Sequence, residues 1–220
     1  MAILNENCWY NSVCTEECTP SCIKYLEMKY LMDESYIPKK RQIPIQLMPE
    51  TVDYNSFTEL AELKANIVEF VSNGKSLYLY SKNTGNGKTS WSIKLMLRYF
   101  DRIWAGNGFR CRGVFVHVPT LLAKLKDFGN KTEELYTLQQ KIIDCDLVIF
   151  DDIGVADLSN YDKSQLISFV DQRTLAFKSC IFTGNLGLKE LKLAVGDRLA
   201  SRIWGSTIKI ELFGKDERAK

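Results

Sequence analysis

Long apolar runs are missing from this sequence: no stretch approaches the roughly 18 consecutive apolar residues that a membrane-crossing helix needs, so no membrane partner is expected. Proline is scarce, with 5 residues in 220, and glycine is modest at 13, which excludes collagen-like, mucin-like and low-complexity chains. Excess charge is missing too. Lys and Arg number 29 against 27 Asp and Glu, and a net charge of +2 gives no reason by itself to propose nucleic acid or an acidic surface as a partner. The opening residues, MAILNENCWYN, lack the basic start and apolar core of a secretory leader, so a cytoplasmic location with reduced thiols is expected. Histidine is rarest of all. The single residue, His117, falls in an apolar run and is expected to be structural. What is present, 45% hydrophobic and 25% charged residues, is the composition of a globular chain with room for one good-sized core and a small appendage.

Four of the seven cysteines, Cys8, Cys14, Cys18 and Cys22, crowd into an acidic N-terminal segment, whereas Cys111, Cys145 and Cys180 are scattered. Prolines at 38, 44 and 49 then oppose regular structure, so the chain divides into a module at 1–37, a linker at 38–54 and a larger domain at 55–220. In the larger domain helical and extended patterns alternate. One helix is expected from Phe57 to the stop at Gly74, and further helices at about 88–104, 121–127, 133–143, 162–177 and 188–204. Short β-prone runs begin at Ser76, Gly113, Leu147, Cys180 and Thr207. The continuous apolar run Leu147–Phe150 suggests a strand buried on both faces. Five strands separated by helices predict an α/β fold with a five-stranded parallel sheet.

The strongest motif, Thr84-Gly85-Asn86-Gly87-Lys88-Thr89-Ser90, directly follows a strand and opens a helix. Its glycines let backbone N–H groups close around phosphate oxygens. Lys88 then reaches the β and γ phosphates, and the Thr89 hydroxyl is placed to ligate Mg²⁺, which makes ATP and Mg²⁺ the expected cofactors. One departure stands out, because Lys82 occupies the place of the motif's first glycine. The Leu147–Phe150 strand delivers Asp151 and Asp152 at its C-terminal end, the edge at which open α/β sheets bind ligands. Asp151 would hold Mg²⁺, and Asp152 would orient and deprotonate an attacking water; a plain turn or helix cap is the alternative for two adjacent acids. Asn185, in Thr183-Gly184-Asn185, is either a turn residue or a neutral amide that positions the water. Arg198 and Arg202 share a helix face, as an arginine finger for a neighbouring subunit, as a solvated pair or as an ion pair with Asp197 or Glu211.

These motifs, with Asp151-Asp152-Ile153-Gly154-Val155, Tyr161-Asp162-Lys163, Val170-Asp171-Gln172-Arg173 and Gly196-Asp197-Arg198-Leu199-Ala200-Ser201-Arg202, resemble the AAA+ ATPases of the DnaC/DnaI type over residues 55–213. Such proteins load the replicative DNA helicase in bacteria and phages. The resemblance implies an ATPase that binds a hexameric helicase and single-stranded DNA, self-associates through Arg202 with Arg198 beside it, and lacks a full helical lid. The family often carries Glu where Asp152 stands, so hydrolysis is expected to be slow. The IstB-type transposition ATPases share these motifs, and a non-hydrolysing, nucleotide-bound adaptor is a further alternative. A small-molecule kinase would need a lid and a substrate-binding arginine cluster that the sequence does not show.

Spacings of five, three and three residues separate Cys8, Cys14, Cys18 and Cys22. Thr19-Pro20 reads as a helix start that places Cys22 in the first turn. Four thiolates in so small a segment suggest Zn²⁺, with an iron–sulfur cluster or free thiols as alternatives. The DnaI type resembles this plan, with a zinc-stabilised N-terminal domain that grips the helicase, although its ligands include histidine. The charge is also zoned: Arg98, Arg102, Arg110, Arg112, Lys124, Lys126 and Lys131, with Phe109 and Phe128, form a basic stretch. It reads as a solvated face or as a single-stranded DNA surface, the latter favoured by the resemblance.

Overall fold

The structure, a computed structural model, describes residues 8–10, 14, 19–42, 47–48, 51–103, 109–127, 132–154 and 158–215. Among them β1 (Ser76–Tyr80), β2 (Gly113–His117), β3 (Leu147–Asp151), β4 (Ser179–Gly184) and β5 (Thr207–Glu211) form one parallel sheet in the order β2-β3-β4-β1-β5. The five-stranded parallel sheet expected from the pattern is therefore present. Every residue of β3 is buried, as its unbroken apolar run requires.

Side chains alternate across the sheet into two cores. Leu77, Leu79, Ile149 and Ile181 face α2 (Tyr54–Ala65), α3 (Ile67–Ser72) and α4 (Lys88–Ile103). Tyr78, Val148, Phe150 and Phe182 face α5 (Val118–Lys126), α6 (Glu133–Asp144), α7 (Asn160–Leu175), α8 (Leu188–Val195) and α9 (Asp197–Ser206). Two expected helices are each split. The first breaks at Asn66, whose side-chain amide donates to Glu62 O at 3.1 Å, and the last at Gly196, whose φ of +85° favours glycine.

The N-terminal segment is anchored differently from the expectation of a module with its own support. Helix α1 (Ile23–Glu34) starts one residue after Cys22, which is its N-cap rather than part of its first turn. Tyr10, Met28, Leu31, Met32 and Ile37 are buried in the same core as α4 and the sheet. Beyond α1, Ser35 O accepts from Phe115 N at 2.7 Å, covering the outer side of edge strand β2. A segment too small to bury its own apolar side chains has thus shared the larger core. The stretch read as a linker also carries structure, with short 3₁₀ turns at Lys39–Arg41 and Thr51–Asp53.

Arg173, on α7, closes the N-terminal edge of the sheet. Its guanidinium is fully buried and donates to Ile142 O (2.7 Å), Cys145 O (2.9 Å), Asp146 O (3.1 Å) and Ser179 O (2.5 Å). Replacing Arg173 with Met takes one donor from each of those carbonyls, leaving Asp146 O with only its bond from Ser179 N. The expected loss is about 3–5 kcal/mol of unfolding free energy, read from the urea midpoint; an unchanged midpoint would show that water substitutes for the cage.

Candidate functional site

The C-terminal ends of β1, β3 and β4 open onto a cavity of about 720 Å³. The whole stretch Thr84–Ser90 lines it, as do Asp151, Asp152 and Asn185, so the structure brings the sequence-predicted nucleotide residues to one place. Gly85 and Gly87 have φ of +70° and +93°, the left-handed backbone a phosphate loop needs. Lys82 is not among the residues with positive φ, which explains how a side chain is tolerated where the motif has glycine. Lys88 opens α4; its Nζ donates to Asn83 O at 2.9 Å and to Asn86 Oδ1 at 3.1 Å, which holds the ammonium over the loop.

Asp151 is 3% exposed, and its Oδ1 accepts from Thr89 Oγ1 at 2.8 Å and from Thr183 Oγ1 at 2.7 Å. Burial pushes its carboxyl above the ordinary value, and the hydrogen bonds from Thr183 and Thr89 pull the other way. A hydroxyl and a carboxylate in contact at the mouth of a phosphate loop are hard oxygen donors that fit Mg²⁺. Thr183 also accepts from Asp152 N at 3.0 Å, fixing the backbone of the second acid, which sits at φ +60°. A strained backbone at that position is the kind of cost that functional sites retain.

His117 departs from its expected place in the core. It ends β2 with its side chain 43% exposed; Nε2 lies 3.6 Å from Asp152 Oδ2, and Nδ1 is 2.7 Å from Thr120 Oγ1. It lines the cavity, as do Asp53, Arg41 and Lys215, none of which any sequence motif pointed to. Asp53 is 2% exposed and accepts from Phe213 N at 2.6 Å and Gly214 N at 2.9 Å, while Asn83 Nδ2 donates to Phe213 O at 2.8 Å. The chain beyond β5 is thereby latched to the phosphate loop. Thr183 belongs to the Thr-Gly-Asn strand end that the sequence shows, but its contact with Asp151 depends on β4 lying beside β3.

Arg198 and Arg202 do not line the cavity. Both pair with Asp171 of α7, at 3.1 Å and 3.0 Å, and not with Asp197 or Glu211. Their side chains remain 71% and 54% exposed, on the outside of the protomer.

The cysteines give no support to zinc. Cys8 packs partly buried against the core and Cys14 is exposed. Among the described residues no group of three His, Cys, Asp or Glu is disposed to hold a metal ion; Cys18 lies outside them. Iron–sulfur ligation is unsupported on the same ground. The basic stretch is largely neutralised: Arg98 pairs with Asp101, Arg110 and Arg112 with Asp146, and Lys126 with Asp162. Arg102, Lys124 and Phe109 are exposed, and Phe128 and Lys131 lie outside the described residues. Among the described residues no helix is long and apolar enough to cross a membrane.

A phosphate loop on a parallel sheet, with an acid from the strand two places away and a polar strand end between, defines a P-loop nucleotide-binding domain of the AAA+ class. The family model of IstB-like ATP binding proteins matches residues 39–204, and the chain belongs to that family. The fold is also that of solved helicase loaders. The DnaC helicase loader is 18% identical, with a TM-score of 0.63 over 80% of this chain and 99% of its own. DnaI is 17% identical, with a TM-score of 0.65 over 80% and 95%. The replication initiator DnaA, bound to AMPPCP and single-stranded DNA, is 17% identical, with a TM-score of 0.59 over 81% and 52%. No curated protein matches the sequence. The resemblance to the DnaC/DnaI type drawn from the motifs therefore holds in three dimensions.

Thr183→Val tests the geometry. It keeps the shape of the side chain but removes a donor to Asp151 and the acceptor for Asp152 N. Affinity for the Mg²⁺-nucleotide is expected to fall roughly 10- to 100-fold with the fold intact by circular dichroism; wild-type affinity would show that Thr89 alone suffices.

Proposed function

We propose that the protein is an ATP-dependent loader of a replicative DNA helicase onto single-stranded DNA. The observation that carries this reading is the Thr89–Asp151–Thr183 cluster at a phosphate loop, on a fold shared with DnaC and DnaI over nearly the full length of those chains. In this reading the N–H groups of Gly85–Lys88 and the Lys88 ammonium bind the phosphates of ATP. Thr89 and Asp151 hold Mg²⁺, which when bound neutralises developing phosphate charge. Asp152 accepts a proton from the attacking water, and the Asn185 amide orients that water without adding charge. Asp152 is shorter than the glutamate common in such loaders, so turnover is slow.

The exposed Arg202, with Arg198 beside it, reaches the nucleotide of a neighbouring subunit as an arginine finger. Asp171 holds both side chains until that subunit arrives. The N-terminal segment contacts the hexameric helicase, with Ile23 and Leu26 on the outer side of α1. Single-stranded DNA meets the cations left without carboxylates, Arg102 and Lys124 among the described residues.

The family match favours a second reading, an IstB-type transposition ATPase. Loading is tested with full-length protein, the host's ring helicase and circular single-stranded DNA. ATP-dependent deposition of the helicase is expected. Asp152→Asn should retain ATP binding and cut hydrolysis by about 100-fold or more. Absence of deposition with every nucleotide, alongside copurification with a transposase, would replace the loader by the second reading. Deposition undiminished in Asp152→Asn would make the nucleotide a structural ligand of a non-hydrolysing adaptor.

A further inference from the structure

Two cations in the cavity, Arg41 and Lys215, belong to none of the motifs. Arg41 lines it together with Lys88, Thr89, Asp151 and Asp152, yet comes from the stretch that precedes α2. Its backbone is held in place. Arg41 N donates to Pro38 O at 2.7 Å, Gln42 N to Lys39 O at 3.2 Å and Gln42 Nε2 to Ile37 O at 3.1 Å. Ile37 is 3% exposed in the core, so the turn that carries Arg41 hangs from a fixed point.

Arg98, Arg110, Arg112, Arg198 and Arg202 each have a carboxylate within 4.0 Å, whereas none lies that close to Arg41, Arg102 or Arg173 among the described residues, and of these three Arg41 alone lines the cavity. Asp151 marks the end of the cavity where magnesium and the last phosphate belong. A guanidinium matches phosphate oxygens two at a time, and there it would face anionic oxygens rather than a protein acid. Lys39 and Lys40 sit on the same turn and are exposed, as Arg41 is, but they do not line the cavity.

We propose that Arg41 binds the terminal phosphate of the nucleotide from within the same chain, so that ATP, and not ADP, fixes the segment joining α1 to the ATPase sheet. The inference rests on the nucleotide reading above and adds to it a route by which the N-terminal helix senses nucleotide state. No neighbouring subunit is needed. The coupling follows from differential contact: a residue that touches only the third phosphate favours one state of the segment in ATP and leaves it indifferent to ADP.

The test measures binding of a non-hydrolysable ATP analogue and of ADP, both with Mg²⁺, to the full-length protein and its variants. Arg41→Ala is expected to weaken the ATP analogue about 10-fold or more while leaving ADP within about twofold. Arg41→Lys, which keeps the charge but loses the fork, should fall between. Lys39→Ala, which removes equal charge from the same turn, should bind both ligands as wild type does. Tryptic cleavage after Lys39 and Lys40 supplies a second readout: the ATP analogue should slow it in wild type and not in Arg41→Ala. Equal losses for both nucleotides in Arg41→Ala, or none, overturn the proposal, as does an equal effect of Lys39→Ala. Lys88→Ala separates the two levels of inference. If it leaves both nucleotides bound, the phosphate-loop reading itself has failed, whatever Arg41 does.

Discussion

A buried carboxylate must be satisfied or neutralised, and in this protein Asp151 is satisfied by two hydroxyls from different elements. Thr89 brings the first turn of α4 and so fixes the exit of the phosphate loop. Thr183 brings the end of β4, and by accepting Asp152 N it sets the backbone of the second acid as well. The arrangement depends on β4 lying between β1 and β3, because only then does a β4 side chain stand beside both the loop and the acid. The sheet order, the loop and the two carboxylates are thus parts of one constraint.

Around that centre the two ends of the chain are drawn in. Asp53, just before α2, accepts from the backbone at 213 and 214, and Asn83 of the phosphate loop donates to the same tail. From the other direction, α1 and Ile37 are packed into the core and suspend the turn that carries Arg41 at the cavity. Segments that look like an appendage and a tail therefore border the cavity.

Electrostatic pairing sorts the cations by use. Most of the basic stretch is neutralised by Asp101, Asp146 and Asp162, which reduces its value for gripping a polyanion over a long surface. Arg198 and Arg202 share one acid and stay exposed. Lys88 faces inward at the loop, and Arg41 lines the same cavity.

Periodicity and punctuation made most of the fold legible. The apolar run at 147–150, the β-prone run at 76–80 and the stop at Gly74 are local properties, and local backbone preference and burial on both faces of a sheet decide them. The phosphate loop and its following acid pair were legible for the same reason, since each is a contiguous string whose chemistry needs adjacent residues. Breaks at Asn66 and Gly196 were not, because helix period continues across both while the packing of each half does not. Nor did sequence place His117 beside Asp152, Thr183 on Asp151, Arg41 in the cavity or Asp171 between two arginines. These pairings join residues from separate elements and depend on strand order and on where the core draws each segment. The cysteine cluster invited a metal, but apolar burial anchors its segment, and how much core a segment can share is settled only when the whole chain packs.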